Sequence, residues 1–194
     1  KQLAAWLVVV FLLSCEPLVT DFRDIEDAIL YESSSIIDGP NSPNSLLVMT
    51  WNIRFGAARV PWFGDSCGDR VIMTNGEVIT HLENIADYIS DVQPDILLLQ
   101  EVDVESKRSG YLDQVRWLLD YTHFNYGAYA SMWQAQFIPS DGLGRVDGGN
   151  AILSRWEITE AERIQLPLRT DQDGLIQYFY LRRNILKTKI AVPN

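Results

Sequence analysis

Residues 97–102 read Leu97-Leu98-Leu99-Gln100-Glu101-Val102. Pro94 and Asp95 stand just before them. A short apolar run bounded by turn residues reads as a core strand. This one ends on an amide and a carboxylate. In α/β sheets the carboxyl ends of strands are where ligands gather. The run therefore predicts a buried strand whose last acid emerges where the core opens.

Upstream, Thr74-Asn75-Gly76-Glu77 has the pattern of a capping box. Val78, Ile79, Leu82, Ile85, Ala86 and Ile89 follow at helical spacing. Pro94 stops that helix. Earlier still, Leu46–Ile53 is an apolar run, β-branched or aromatic in places, and it reads as a second core strand with Asn52 at its end. Two strands flanking one helix make a crossover unit. Its usual handedness sets the strands parallel or as near neighbours. Residues 56–76 between them form a long loop containing Trp62-Phe63-Gly64-Asp65-Ser66-Cys67-Gly68-Asp69-Arg70. Loops of this length are usually functional or mobile.

Downstream, Leu112, Val115, Leu118 and Leu119 keep a helical period. Asn125–Ser131 reads as a strand. Gly148-Gly149-Asn150-Ala151-Ile152-Leu153-Ser154-Arg155 reads as a glycine turn feeding a short strand, and Ile158–Pro167 and Tyr178–Val192 as extended. The order strand, helix, strand, helix, then mostly strands indicates an α/β fold of mixed layers.

The chain has 194 residues, 47% apolar and 22% charged, which suits one domain with a sizeable core. Its formal net charge of −10 repels polyphosphate at long range, so coating of nucleic acid is disfavoured. At the N-terminus, Lys1 precedes an apolar run of signal-peptide length that ends Leu12-Leu13-Ser14-Cys15. That ending resembles a bacterial lipobox. It implies a signal peptide over residues 1–14, lipidation of Cys15, and a product exported to the cell envelope and held to a membrane by its lipid. The other cysteine, Cys67, is then unpaired. Residues 15–45 read as the anchor and a flexible tether, with a short helix near Phe22–Tyr31, and the domain proper as 46–194. No protein partner is indicated.

An amide and a carboxylate brought together at two strand ends suit a hard cation. Mg²⁺ prefers oxygen ligands and commonly takes only one or two carboxylates, and Mn²⁺ is the alternative ion. The segments Thr50-Trp51-Asn52-Ile53, Pro94–Val102 and Gly149–Arg155 together resemble the endonuclease/exonuclease/phosphatase family, over about residues 46–194. The resemblance implies part of a four-layer α/β sandwich with two mixed sheets, C-terminally incomplete. It implies Mg²⁺-dependent hydrolysis of a phosphate ester: a small phosphodiester, a nucleotide, a nucleic acid or a lipid headgroup. Glu101 resembles the family's metal-ligand glutamate. Asn52 resembles the asparagine that orients that acid and the metal-bound water. Both are assigned to catalysis and to the metal. Arg183 resembles a phosphate-binding arginine, with Arg182 as an equal counterpart. Asn150 and Arg155 lie in a segment that is usually structural.

The resemblance also implies a later Asp-x-Asn segment, a strand histidine and a closing Asp-His pair, and none of these occurs. The histidines are His81 and His123, neither in a family-like setting. The chain as given is then expected to be weakly active or inactive, and unstable at exposed sheet edges. The competing reading is a surface-anchored lipoprotein that keeps the fold without the chemistry. Four smaller choices stay open. The Trp62–Arg70 loop contacts substrate or packs over the sheet edge. Asp103 supports the metal or is a turn acid. Tyr126, Tyr129 and Trp133 are core or a stacking platform. Arg182, Arg183, Lys187 and Lys189 hold a phosphate or form a solvated strand face.

Overall fold

The computed structural model describes residues 19–39 and 41–193. The capping box forms as the sequence predicts. The Thr74 hydroxyl accepts the Glu77 N–H, and the Glu77 carboxylate accepts the Thr74 N–H at 2.8 Å. Helix α1 then runs Asn75–Val92 and buries Val78, Leu82, Ile85, Ala86 and Ile89. It stops at Gln93, which adopts a left-handed φ of 53° just before Pro94.

Four strands surround this helix in sequence: β1 (Ile25–Asp27), β2 (Ile29–Glu32), β3 (Val48–Asn52) and β4 (Ile96–Asp103). After them come α2 (Gln114–Tyr121), β5 (Tyr126–Ile138), β6 (Gly144–Ser154), β7 (Ile158–Gln165), α3 (Gly174–Phe179) and β8 (Asn184–Ile190). Strands β3 and β4 are parallel, with Val48 opposite Ile96 and Asn52 opposite Gln100. The crossover through α1 thus brings the two polar strand ends side by side. The main sheet has the order β2-β5-β6-β4-β3 and is mixed, because its remaining pairs are antiparallel. A second sheet, β1-β7-β8, is antiparallel.

Strand β4 is apolar on both faces because both are covered. Leu97 and Leu99 join Val78, Leu82, Leu118 and Phe124 in the core under α1 and α2. Ile96 and Leu98 pack instead toward Ala161, Leu186 and Ile190 of the second sheet. Helices, main sheet and second sheet make three stacked layers, consistent with part of a four-layer sandwich. The far face of the second sheet carries Lys187 and Lys189. They pair with Glu162 at 2.9 Å and Glu160 at 3.1 Å, with Ile185 exposed beside them. That face is the solvated alternative for the basic strand.

The structure differs from the sequence reading in three places. Residues 25–32 are neither tether nor helix: β1 pairs with β7 and β2 with β5. Ile25, Ile29 and Leu30 remain more than half exposed, so the segment carries no burial period that its sequence could display. Val19 also bridges to Ala135, so the chain is tied into the fold from there. Residues 1–14 and Cys15 lie outside the described residues.

The second difference is at Gly148-Gly149, which sits inside the eleven-residue β6 rather than in a turn. A Cβ on Gly149 would stand 2.2 Å from the Ala130 carbonyl oxygen, so glycine is there for close strand approach. The third is at Tyr178, which lies in α3. Asp173 caps that helix, its carboxylate accepting the Ile176 N–H at 3.0 Å.

Candidate active site

A bulge aims Glu101. Leu99 lies opposite Ala151 and Val102 opposite Gly149, so β4 carries one residue more than β6 across this interval. Glu101 takes a φ of 54° within it. Bulges of this kind re-aim side chains, and left-handed non-glycine residues persist where the surroundings hold them. Glu101 is half-buried. Its Oε1 accepts a hydrogen bond from Asn52 Nδ2 at 2.9 Å, and Asn52 Oδ1 accepts the Arg54 N–H at 2.9 Å. In this arrangement Asn52 holds one Glu101 oxygen through its Nδ2, and its own oxygen anchors it to the Arg54 backbone.

Asn52, Arg54, Phe55, Trp62, Asp65 and Glu101 line an opening of about 350 Å³. The Arg54 guanidinium pairs with Asp65 and also donates to the carbonyls of Ala58 and Val60 at 2.8 and 3.0 Å. Asp65 in turn accepts the Trp62 N–H at 3.0 Å. The loop after Asn52 thus folds over the opening as its rim. Arg54 and Phe55 are both left-handed, with φ of 50° and 45°. The Arg108 guanidinium lies 4.0 Å from the Phe55 ring centroid and supports it from below.

The donor set can be weighed against a divalent cation. Glu101 has no ion-pair partner among the described residues, and Asn52 occupies only one of its oxygens. No group of three His, Cys, Asp or Glu able to hold a metal occurs among the described residues. Asp65 reaches the same opening but is committed to Arg54. An uncompensated single carboxylate beside open space fits an ion that keeps several waters, as Mg²⁺ does.

The other sequence candidates lie elsewhere. Asp103 is fully buried and accepts from Arg108 Nε and Nη2 at 2.9 and 2.7 Å and from the Ser109 hydroxyl at 2.8 Å. It is half of a core ion pair, neither a metal ligand nor a turn acid. Arg182 is buried, donating to the carbonyls of Gln177, Tyr178 and Tyr180, so it braces the turn before β8. Arg183 is exposed and does not line the Glu101 opening. Its neighbour Asn184 reaches the main sheet instead, accepting from Asn150 at 3.2 Å and donating to the Ser131 carbonyl at 2.8 Å. Arg155 pairs with Asp95, at the other end of β4 from Glu101. Tyr129 is fully buried and donates to Asp147 at 2.7 Å, so it belongs to the core.

Both histidines hold backbone. His123 Nε2 lies 2.7 Å from the Pro94 carbonyl, and burial pushes its ring below the usual imidazole range. His81 Nδ1 lies 2.7 Å from the Gly56 carbonyl, next to the strained turn. Arg54 is the neighbour of the site that sequence reasoning passed over. For Arg54 the available signal was its place two residues after Asn52.

No curated protein matches the chain. A crystal structure of an endonuclease/exonuclease/phosphatase from Beutenbergia cavernae DSM 12333 is similar to it, with a TM-score of 0.50 and 22% identity. The similarity covers 76% of this chain and 35% of that one, so the chain spans about a third of that protein's length. The model of the endonuclease/exonuclease/phosphatase family matches residues 49–191, from inside β3 to just past β8. Both strand ends and the bulge that carries Glu101 fall within that match, and the chain belongs to the endonuclease/exonuclease/phosphatase family.

Proposed function

We propose that this chain carries part of the active site of a metal-dependent phosphoester hydrolase, exported and lipid-anchored at Cys15. The observation that carries the reading is the Asn52–Glu101 hydrogen bond at the ends of two parallel strands, on a bulge that turns the acid into open space. Glu101 would hold a Mg²⁺ or Mn²⁺ ion, which when bound supplies charge to polarise a phosphoryl oxygen and stabilise a leaving oxyanion.

The chain's own residues do the rest of what can be derived. Asn52 keeps one Glu101 oxygen engaged and the carboxylate in a fixed orientation. Arg54, held by Asp65, closes one wall. Phe55 and Trp62 present apolar faces that limit water at the rim. The described residues place no histidine in this opening to take a proton from water, so the chain alone is expected to be weakly active. That same observation favours a second reading, a surface-anchored lipoprotein that keeps the fold without turnover.

The test is hydrolysis of bis-p-nitrophenyl phosphate by the complete gene product, with and without Mg²⁺. The enzyme reading expects Mg²⁺-dependent turnover that Glu101→Gln abolishes. Turnover unchanged in Glu101→Gln would refute the assignment of the acid. No turnover in the intact protein would favour the non-catalytic reading. Mass measurement of the processed N-terminus checks the lipid on Cys15 separately.

A further inference from the structure

A second opening lies on the other side of Arg54. Trp51, Asn52, Arg54, Arg59, His81 and Asn84 line it together with apolar Ile53, Ala58 and Ile85, and its volume is about 470 Å³. It shares Asn52 and Arg54 with the Glu101 opening, so the two are neighbours across one amide and one guanidinium. No carboxylate lines it, in a chain with 26 acidic residues against 16 basic ones. By contrast, the Glu101 opening contains two carboxylates, and a cleft beside β1 is lined by Asp21, Glu26 and Asp27.

The cation available here is Arg59. It is exposed, and no ion pair or hydrogen bond of its side chain occurs among the described residues. Arg54 is already spent on Asp65 and two carbonyls. His81 is held in place because the Gly56 carbonyl can only accept, so Nδ1 carries the proton and the ring orientation is fixed. The wall itself is strained: Arg54 and Ala58, which line it, are left-handed at φ of 50° and 47°. Strain of this density is found at ligand clamps, where the surroundings over-determine it. A free arginine at a preformed, carboxylate-free opening suits a phosphate.

We propose that this opening is a subsite for a second phosphate of the substrate, bound by Arg59 while the reacting phosphate sits at Glu101. The inference rests on the hydrolase reading, and it narrows the substrate to phosphate esters or anhydrides that carry a neighbouring phosphate. A pyrophosphate linkage and a short phosphodiester backbone both present that chemistry.

The experiment is calorimetric titration of the full chain with inorganic pyrophosphate and with a 5′-phosphorylated dinucleotide, in EDTA so that no metal contributes. Saturable binding of one or both is expected, and the tighter ligand reports which spacing fits. Arg59→Gln should weaken it by about tenfold, the typical loss of one charge-assisted hydrogen bond. Arg59→Lys should recover part of it. Absence of saturable binding, or Arg59→Gln binding as wild type does, overturns the subsite. If Glu101→Gln leaves hydrolysis by the complete gene product intact while pyrophosphate binding still depends on Arg59, the hydrolase assignment fails and the anion site stands.

Discussion

Replacing Arg108 with methionine keeps most of its volume and removes its charge. The consequence falls on Asp103, which is fully buried and two residues past Glu101. Asp103 would lose two charge-assisted hydrogen bonds, at 2.9 and 2.7 Å, and keep the Ser109 hydroxyl. Stranding a buried carboxylate typically costs about 3–5 kcal/mol. The lost guanidinium contact with Phe55 adds about 1 kcal/mol. A sum of about 4–6 kcal/mol is a large share of a domain's usual stability of about 5–15 kcal/mol. Urea denaturation followed by tryptophan fluorescence and by circular dichroism measures it. The double variant Asp103→Ala/Arg108→Met removes both charges and should cost less than Arg108→Met alone, because no charge is left unpaired. A single variant within about 1 kcal/mol of wild type, or one milder than the double, would refute the reasoning.

Three further outcomes follow from the same contacts. Asn52→Ala removes the group that orients Glu101, and it should lower Mg²⁺-dependent turnover of the complete gene product by about 10- to 100-fold with little change in fold. Thr74→Ala breaks the capping box and should cost about 1 kcal/mol by urea denaturation. The Thr74 backbone N–H, then Arg70 and the Thr74 hydroxyl, hold the Glu77 carboxyl at about 2, below its ordinary 4.5. A depressed acid contributes stability above its unfolded value and loses it as pH falls through the folded one. The stability gap between wild type and Glu77→Gln should therefore close between pH 4.5 and 2, and denaturation at pH 6 and pH 3 reads it.

The strands and helices that a single burial period governs were legible in the sequence. Helix α1 announces its start, its inner face and its stop, and β4 reads as core because both its faces are covered. Strands β1 and β2 were not legible. They are edge strands whose apolar residues stay exposed, and only their partners in β7 and β5 define them. The pairing of Asn52 with Glu101 could be anticipated from two strand ends and one crossover. The bulge that aims the acid could not, because register depends on β6, fifty residues downstream. Asp103 misled for the same reason: alternation along a regular strand places it with Glu101, and the bulge breaks that alternation. Arg183 and Arg182 sit next to each other in sequence, yet one is exposed and the other braces a turn, a division made by α3 and the turn that follows it.

Under the proposed lipid anchor, the bridge from Val19 to Ala135 would set the length of the leash. Thirty free residues would let a domain wander about 30 Å from its anchor and turn any side toward the membrane. With Val19 tied to the sheet, a lipid on Cys15 would be only four residues away, about 14 Å at full stretch. Such a domain would ride close on the leaflet with Phe63, Trp133 and Ile138, which share a cluster with Val19, near the surface. Its working volume would be a thin shell over the lipid.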